Sequence, residues 1–285
     1  MEKNSQENTH YHKSLHDSLP TSISIERPNE DRTKEIKKEE GKRRAKAIAI
    51  HRAQFQQKRN TSTRHGSRNQ NRHQKLTKWL IQKFPHILND QHVLDVAGGK
   101  GELAARLVFC HNVSVIMVDP RKANVRKCYE DVVFKTLPKK HQEAYQAKLD
   151  NGEEYKMDKK VQRKFQQLIT TFHEDKVDSN HTESIQLTNA VKNASLLIGM
   201  HADGATEAIV NVALKYSKPF VVVPCCVFPN LFVHRTLTDE NGNIIKVRTH
   251  EQFCTYLLQK CDHFVMETLP FDGRNVAIYW NGQRN

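Results

Sequence analysis

The run Val93-Leu94-Asp95-Val96-Ala97-Gly98-Gly99-Lys100-Gly101 restricts what this 285-residue chain can fold into more than any other segment. His92 to Val96 reads as a short buried strand, and Gly98 to Gly101 as a tight turn. Glu102 to Phe109 reads as a helix with Leu103, Leu107 and Val108 facing inward. Val113 to Val118 is a second apolar strand that stops at Asp119-Pro120. Strand, glycine turn, helix and strand in that order make a right-handed βαβ unit, so the fold class is α/β.

The alternation continues on either side. Leu76, Trp79, Leu80 and Phe84 recur at helical spacing, and Pro85 closes that helix. Further strands are expected at Ser195 to Ile198 and Phe220 to Val223, with helices at Thr206 to Tyr216 and Glu251 to Lys260. The end differs in kind: His263 to Leu269 and Asn275 to Trp280 flank a short turn and read as an antiparallel hairpin. Residues 121–180 are charged and mostly helical in character, which predicts a helical insertion or cap, with Leu168 to Phe172 as a third strand.

A mean hydropathy of −0.72 is low for a domain of this length, so part of the chain is expected to lie outside any core. The charge distribution locates that part. From Gly41 to Asn89 there are 13 Lys and Arg and no carboxylate, and this segment carries the whole formal excess of +13. Residues 1–74 are therefore read as a disordered basic arm and residues 75–285 as the folded domain. Lys42, Arg43, Arg44, Lys46, Arg52, Lys58 and Arg59 are the arm's candidate nucleic-acid contacts. A flexible polycation gains affinity for RNA by releasing counterions, but it reads little sequence. A solubilising tail or a nuclear import signal would have the same composition. Six cysteines without a Cys-x-x-Cys pattern predict a reducing compartment, nucleus or cytoplasm. No apolar run nears the ~18–20 residues of a membrane span, so no membrane contact is expected.

The glycine turn implies an adenosine cofactor. Glycines at the carboxyl end of a parallel strand let backbone approach a ligand, and an acid ending the second strand, Asp119, can accept from both ribose hydroxyls. Gly99-Lys100-Gly101-Glu102-Leu103-Ala104 also fits the dinucleotide pattern G-x-G-x-x-A, which keeps a nicotinamide dehydrogenase open. Asp95 argues against it, because a carboxylate before the turn attracts a cationic amino-acid group and repels a pyrophosphate.

Asp-x-Ala-Gly-Gly-x-Gly, an acid 24 positions after Asp95 and a terminal strand hairpin resemble the class I S-adenosylmethionine-dependent methyltransferases, over roughly the last 210 residues. The resemblance implies a Rossmann-like fold with a mostly parallel seven-stranded sheet and a C-terminal antiparallel hairpin. S-adenosylmethionine would be held by Asp95, Ala97, Gly98, Gly99 and Gly101 and by Asp119, with Ala97 standing where many members have glycine.

His201, Gly204, Ala205, Thr206, Cys225 and Cys226 are similar to a branch that includes eukaryotic tRNA 2′-O-methyltransferases, which carry His-x-Cys-Gly, Ala-Thr and later a Cys-Cys pair. Here Asp203 replaces the first cysteine, and Val227-Phe228 follow the pair. His201 is the candidate general base, with Asp203 orienting it or binding the acceptor; both residues fixing a strand end is the other reading. Thr206, Cys225, Cys226, Phe228 and Arg235 are candidates for the acceptor pocket. Cys225 and Cys226 read as packing residues, a nucleophilic thiol, or metal ligands with His201 and Asp203; adjacent cysteines chelate awkwardly, so no metal is expected. The function read from these features is RNA methylation, tRNA first. A protein or small-molecule acceptor, a nucleic-acid-binding subunit without turnover, and a further protein partner stay open.

Overall fold

The computed structural model describes residues 71–86, 88, 91–151, 163–238 and 242–283. The candidate arm contacts, Lys42 through Arg59, lie outside the described residues.

Apolar strands alternate with helices to build one seven-stranded sheet in the order β3-β2-β1-β4-β5-β9-β8. The parallel part comprises β1 (His92–Val96), β2 (Val115–Val118), β3 (Phe165–Leu168), β4 (Ala194–Met200) and β5 (Phe220–Val223). Next come β8 (Val265–Thr268) and β9 (Val276–Trp280), the expected hairpin, with β9 inserted antiparallel between β5 and β8. The reversal follows from the short Pro270 to Arg274 connection, since a parallel return would need a crossover of a dozen residues or so.

Strand alternation divides the core. Leu94, Val96, Leu197, Val222 and Ile278 face α5 (Thr182–Lys192), α6 (Thr206–Lys215) and α7 (His250–Leu258). Val93, Met117, Leu196, Val221 and Tyr279 face α1 (Arg72–Lys83) and α2 (Glu102–Ala105, continued by π turns through Cys110). Helix α1 buries Leu76, Trp79 and Leu80 and is fastened to the hairpin at its C-terminal half. The Trp79 indole N–H donates to Glu267 at 2.8 Å, and Lys83 pairs with the same carboxylate at 3.1 Å.

Three differences from the sequence reading have physical causes. Strand β3 starts three residues before the expected Leu168, because Phe165–Leu168 pairs with Val115–Val118. Its Gln166 and Gln167 suit a half-exposed edge strand and hid it from an apolar-run criterion. Part of the 121–180 stretch is thus a sheet strand, preceded by α3 (Val125–Cys128) and the exposed α4 (Lys139–Asp150). Helix α5 was not anticipated, nor was the small hairpin of β6 (Thr236–Thr238) and β7 (Ile244–Lys246), three-residue strands too short to show a period. No described helix is long and apolar enough to cross a membrane.

Candidate functional site

The carboxyl ends of β1, β2, β4 and β5 bring the candidate residues to one sheet edge. Chain direction reverses sharply there, and Ala97, His201, Asp203 and Phe228 hold left-handed φ values of 56°, 56°, 48° and 50°. Such conformations cost roughly 1 kcal/mol or more for a side-chain-bearing residue and concentrate at functional sites. For Ala97 the angle also explains why glycine suits that position.

The three turn glycines differ in what they permit. A Cβ on Gly98 would meet Met117 Cγ at 2.6 Å and Asp95 Oδ2 at 2.7 Å, and one on Gly101 would meet Val125 at 2.8 Å, so both close the packing beneath the turn. Gly99 has φ +61°, and among the described residues its Cβ would meet only the Arg121 side chain, at 3.7 Å. That side of the turn is open to a ligand.

Two carboxylates end the neighbouring strands. Asp95 is 1% exposed, and its buried Oδ2 has no hydrogen-bond partner among the described residues. Burial, reinforced by the charge of Asp119, pushes its carboxyl up to about 7. Asp119 is equally buried but fully engaged, accepting from Gly99 N at 2.8 Å, Arg121 N at 2.9 Å, and Arg121 Nε and Nη2 at 3.1 and 3.2 Å. Burial opposes the Asp119 charge, but the Arg121 and Gly99 donors outweigh it and hold the carboxyl below its usual range. The Arg121 side chain is 75% exposed, so it covers Asp119 from the solvent side. Gln167 steadies this segment, accepting from Ala123 N and donating to Arg121 O.

His201 follows β4. Its Nε2 lies 2.9 Å from the Arg274 carbonyl oxygen, which only accepts, so Nε2 carries the proton and Nδ1 is the basic nitrogen. Nδ1 lies 3.4 Å from the Arg72 guanidinium at the start of α1. Burial, with Arg72 and His73 nearby, holds the imidazole below its ordinary value despite the Arg274 carbonyl and Asp203. Asp203 instead accepts from the Cys225 thiol at 3.1 Å. Burial and Asp203 push that thiol up to about 12, which disfavours its thiolate in this setting.

The remaining pocket candidates separate. Phe228 is exposed, 6.5 Å from Phe232, whose ring lies 3.4 Å from where a Cβ on Gly204 would sit. Thr206 is fully buried, and its hydroxyl has no partner among the described residues. Arg235, only 1% exposed, lines no open surface: it bonds Glu207 at 2.6 Å and Val227 O at 2.8 Å, and stacks 3.6 Å over Phe232. Glu207 gathers Lys260 at 2.9 Å, His234 at 3.4 Å and the Tyr256 hydroxyl as well. Burial would raise its carboxyl, but these partners bring it down to about 2. His250 donates to Pro224 O at 2.9 Å. The Cys225-Cys226 loop is thus gripped by its backbone on both sides.

Sequence reasoning did not pick out Arg121, Arg274 or Glu207. For Glu207 a signal existed: an acid inside the apolar run Ala205 to Val210 must find partners when it folds inward.

A parallel sheet of this strand order with one reversed strand, and a glycine turn at its carboxyl edge, is the Rossmann-like methyltransferase fold. No protein-family model and no curated protein matches the chain. Among solved structures, the chain is similar to the methyltransferase domain of bacterial CtHen1, at 12% identity and a TM-score of 0.40, covering 75% of this chain and 98% of that one. It is also similar to the glycopeptide N-methyltransferase MtfA complexed with S-adenosyl-L-homocysteine, at 10% identity and a TM-score of 0.36, covering 72% and 87%. For WbdD the values are 9% and 0.36, and the match spans 77% of this chain but 42% of that one.

Proposed function

We propose that this chain is an S-adenosylmethionine-dependent methyltransferase whose acceptor is RNA, tRNA first. The observation that carries the reading is the pair of carboxylates at the ends of β1 and β2, one of them with a buried oxygen that no described residue satisfies. Two such groups together favour a cationic ligand and disfavour a pyrophosphate. Asp95 with Gly98, Gly99 and Gly101 would take the amino-acid end of the cofactor. Asp119 would take the ribose once Arg121 swings into solvent. When bound, the cofactor supplies a methyl group on a sulfonium, a leaving group that needs no acid.

The chain's own task is then to place an acceptor and remove its proton. His201 Nδ1 fits that task after Arg72 withdraws. RNA as acceptor is supported by the course of the basic segment, Gly41 to Asn89: it includes α1, whose first residue, Arg72, touches His201. A polynucleotide held by the preceding residues would thereby be delivered to the sheet edge. One observation favours a second reading, a binding subunit without turnover: Arg121 already occupies Asp119.

Calorimetry with S-adenosylmethionine and with NAD tests the cofactor. Heat with the first and none with the second is expected, and silence with S-adenosylmethionine ends the proposal. Tritium transfer from labelled cofactor into RNA, protein and small-molecule fractions tests the acceptor. Label in RNA is expected, label in another fraction moves the acceptor, and cofactor binding without transfer leaves the second reading.

A further inference from the structure

We infer that Asp203, Cys225 and Cys226 form a binding site for one thiophilic divalent cation, with zinc as the first choice. Their ligand atoms, a carboxylate oxygen and two sulfurs, all lie within 4.8 Å of one another. Tetrahedral zinc with Zn–S near 2.3 Å and Zn–O near 2.0–2.2 Å sets its donors about 3.5–3.8 Å apart. The Cys225 sulfur and Asp203 Oδ1 are 3.1 Å apart, so closure around an ion needs only a small outward shift. Asp203 supplies from another loop what two adjacent cysteines lack by themselves, a third donor on the far side of the ion.

The loops bearing these ligands are held independently of any ion. Pro224 and Val227, on either side of the cysteines, have their carbonyls fixed by His250 and Arg235, so little ordering remains when a cation enters. Asp203 is exposed and both cysteines are half-buried, which leaves an entry path. Three protein ligands leave one tetrahedral position open, the arrangement that admits water or a substrate atom. His201 is not a member: its ring is turned to Arg274 and Arg72.

Charge supports the assignment. The neighbouring cations acting on these residues are Arg121, which feels Asp203, and Arg274, which feels Cys226. Two thiolates and a carboxylate around Zn²⁺ leave one negative charge, compatible with both arginines. Softness separates the candidates, because sulfur donors select zinc over magnesium or calcium.

Zinc binding is independent of methyl transfer, and calorimetry of S-adenosylmethionine on the zinc-free protein tests the cofactor site separately. For the metal, the full-length protein is loaded with zinc under reducing conditions, dialysed, and assayed for bound metal. The expected result is one zinc retained per chain, with affinity lower by roughly tenfold or more in Cys226→Ser and in Asp203→Asn and unchanged in Cys110→Ser. Cobalt in place of zinc is expected to give the thiolate charge-transfer band and the strong visible absorption of a tetrahedral sulfur site, which reports on the unmutated protein. No retained zinc, retention equal in all variants, or an octahedral cobalt spectrum overturns the inference.

Discussion

Asp95 and Glu207 are both buried carboxylates, and they have opposite fates. Glu207 is met by Arg235, Lys260, Tyr256 and His234 and is brought down to about 2. Asp95 keeps an oxygen with no partner among the described residues and is pushed up to about 7. The contrast separates two uses of burial. A carboxylate surrounded by donors is a structural fastener, here tying α6 to the loop that carries Cys225 and Cys226. A carboxylate left short of donors among the described residues is a group whose charge the fold has not answered.

The sharpest break of this contrast is Glu207→Ala. Removing one partner leaves the buried Arg235 guanidinium uncompensated, and a loss of roughly 3–5 kcal/mol is expected from urea unfolding. Because the Glu207 carboxyl is depressed, its contribution is complete above its unfolded value, near 4.5, and is lost as pH falls through about 2. Wild type should therefore lose stability more steeply than Glu207→Gln over that acid range. Equal slopes would dissolve the fastener interpretation.

Asp95→Asn should act in the other direction. A raised carboxyl contributes stability below its unfolded value, near 3.8, and loses it as pH rises through about 7. Wild type should thus weaken by roughly 2–3 kcal/mol between about pH 5 and pH 8 through this group, while the amide variant should not. The same variant should bind S-adenosylmethionine at least about tenfold more weakly, a loss on the scale of one charge-assisted contact. Wild-type affinity should itself rise as pH passes 7 and Asp95 ionises.

A smaller effect is expected at the turn. Gly101→Ala combines φ +81° with a 2.8 Å approach to Val125 and should cost roughly 1–3 kcal/mol in thermal unfolding. Smallest is Arg121→Ala. Freeing Asp119 from an exposed guanidinium should tighten S-adenosylmethionine binding by about two- to fivefold in calorimetry, because more molecules are then ready to bind. Weaker binding would show that Arg121 belongs to the ligand's own contacts.

How much of this was legible beforehand depends on the range of the signal. Asp95, the glycines and Asp119 sit within one βαβ unit, and local pattern placed β1, the turn and β2 almost to the residue. The terminal hairpin was equally local. Strand β3 was displaced because a polar edge strand is defined by its partner, Val115–Val118, and by little in its own residues. The sequence places Arg235 among the pocket candidates, because its coupling to Glu207 spans 28 positions and leaves no periodic trace. The nearness of Asp203 to the cysteine pair is legible, because both loops follow parallel strands at one sheet edge, whereas the direct Cys225 thiol contact, spanning 22 positions, leaves no local trace.

Helix α1 is tied to different elements at its two ends. Its C-terminal half is bolted to the hairpin through Trp79, Lys83 and Glu267, whereas in its first turn His73 pairs with Glu102 of α2 at 2.9 Å and Arg72 lies 3.4 Å from His201. Two consecutive residues thus span the helix that follows the glycine turn and the loop that follows β4. A displacement of this first turn is felt at both places at once.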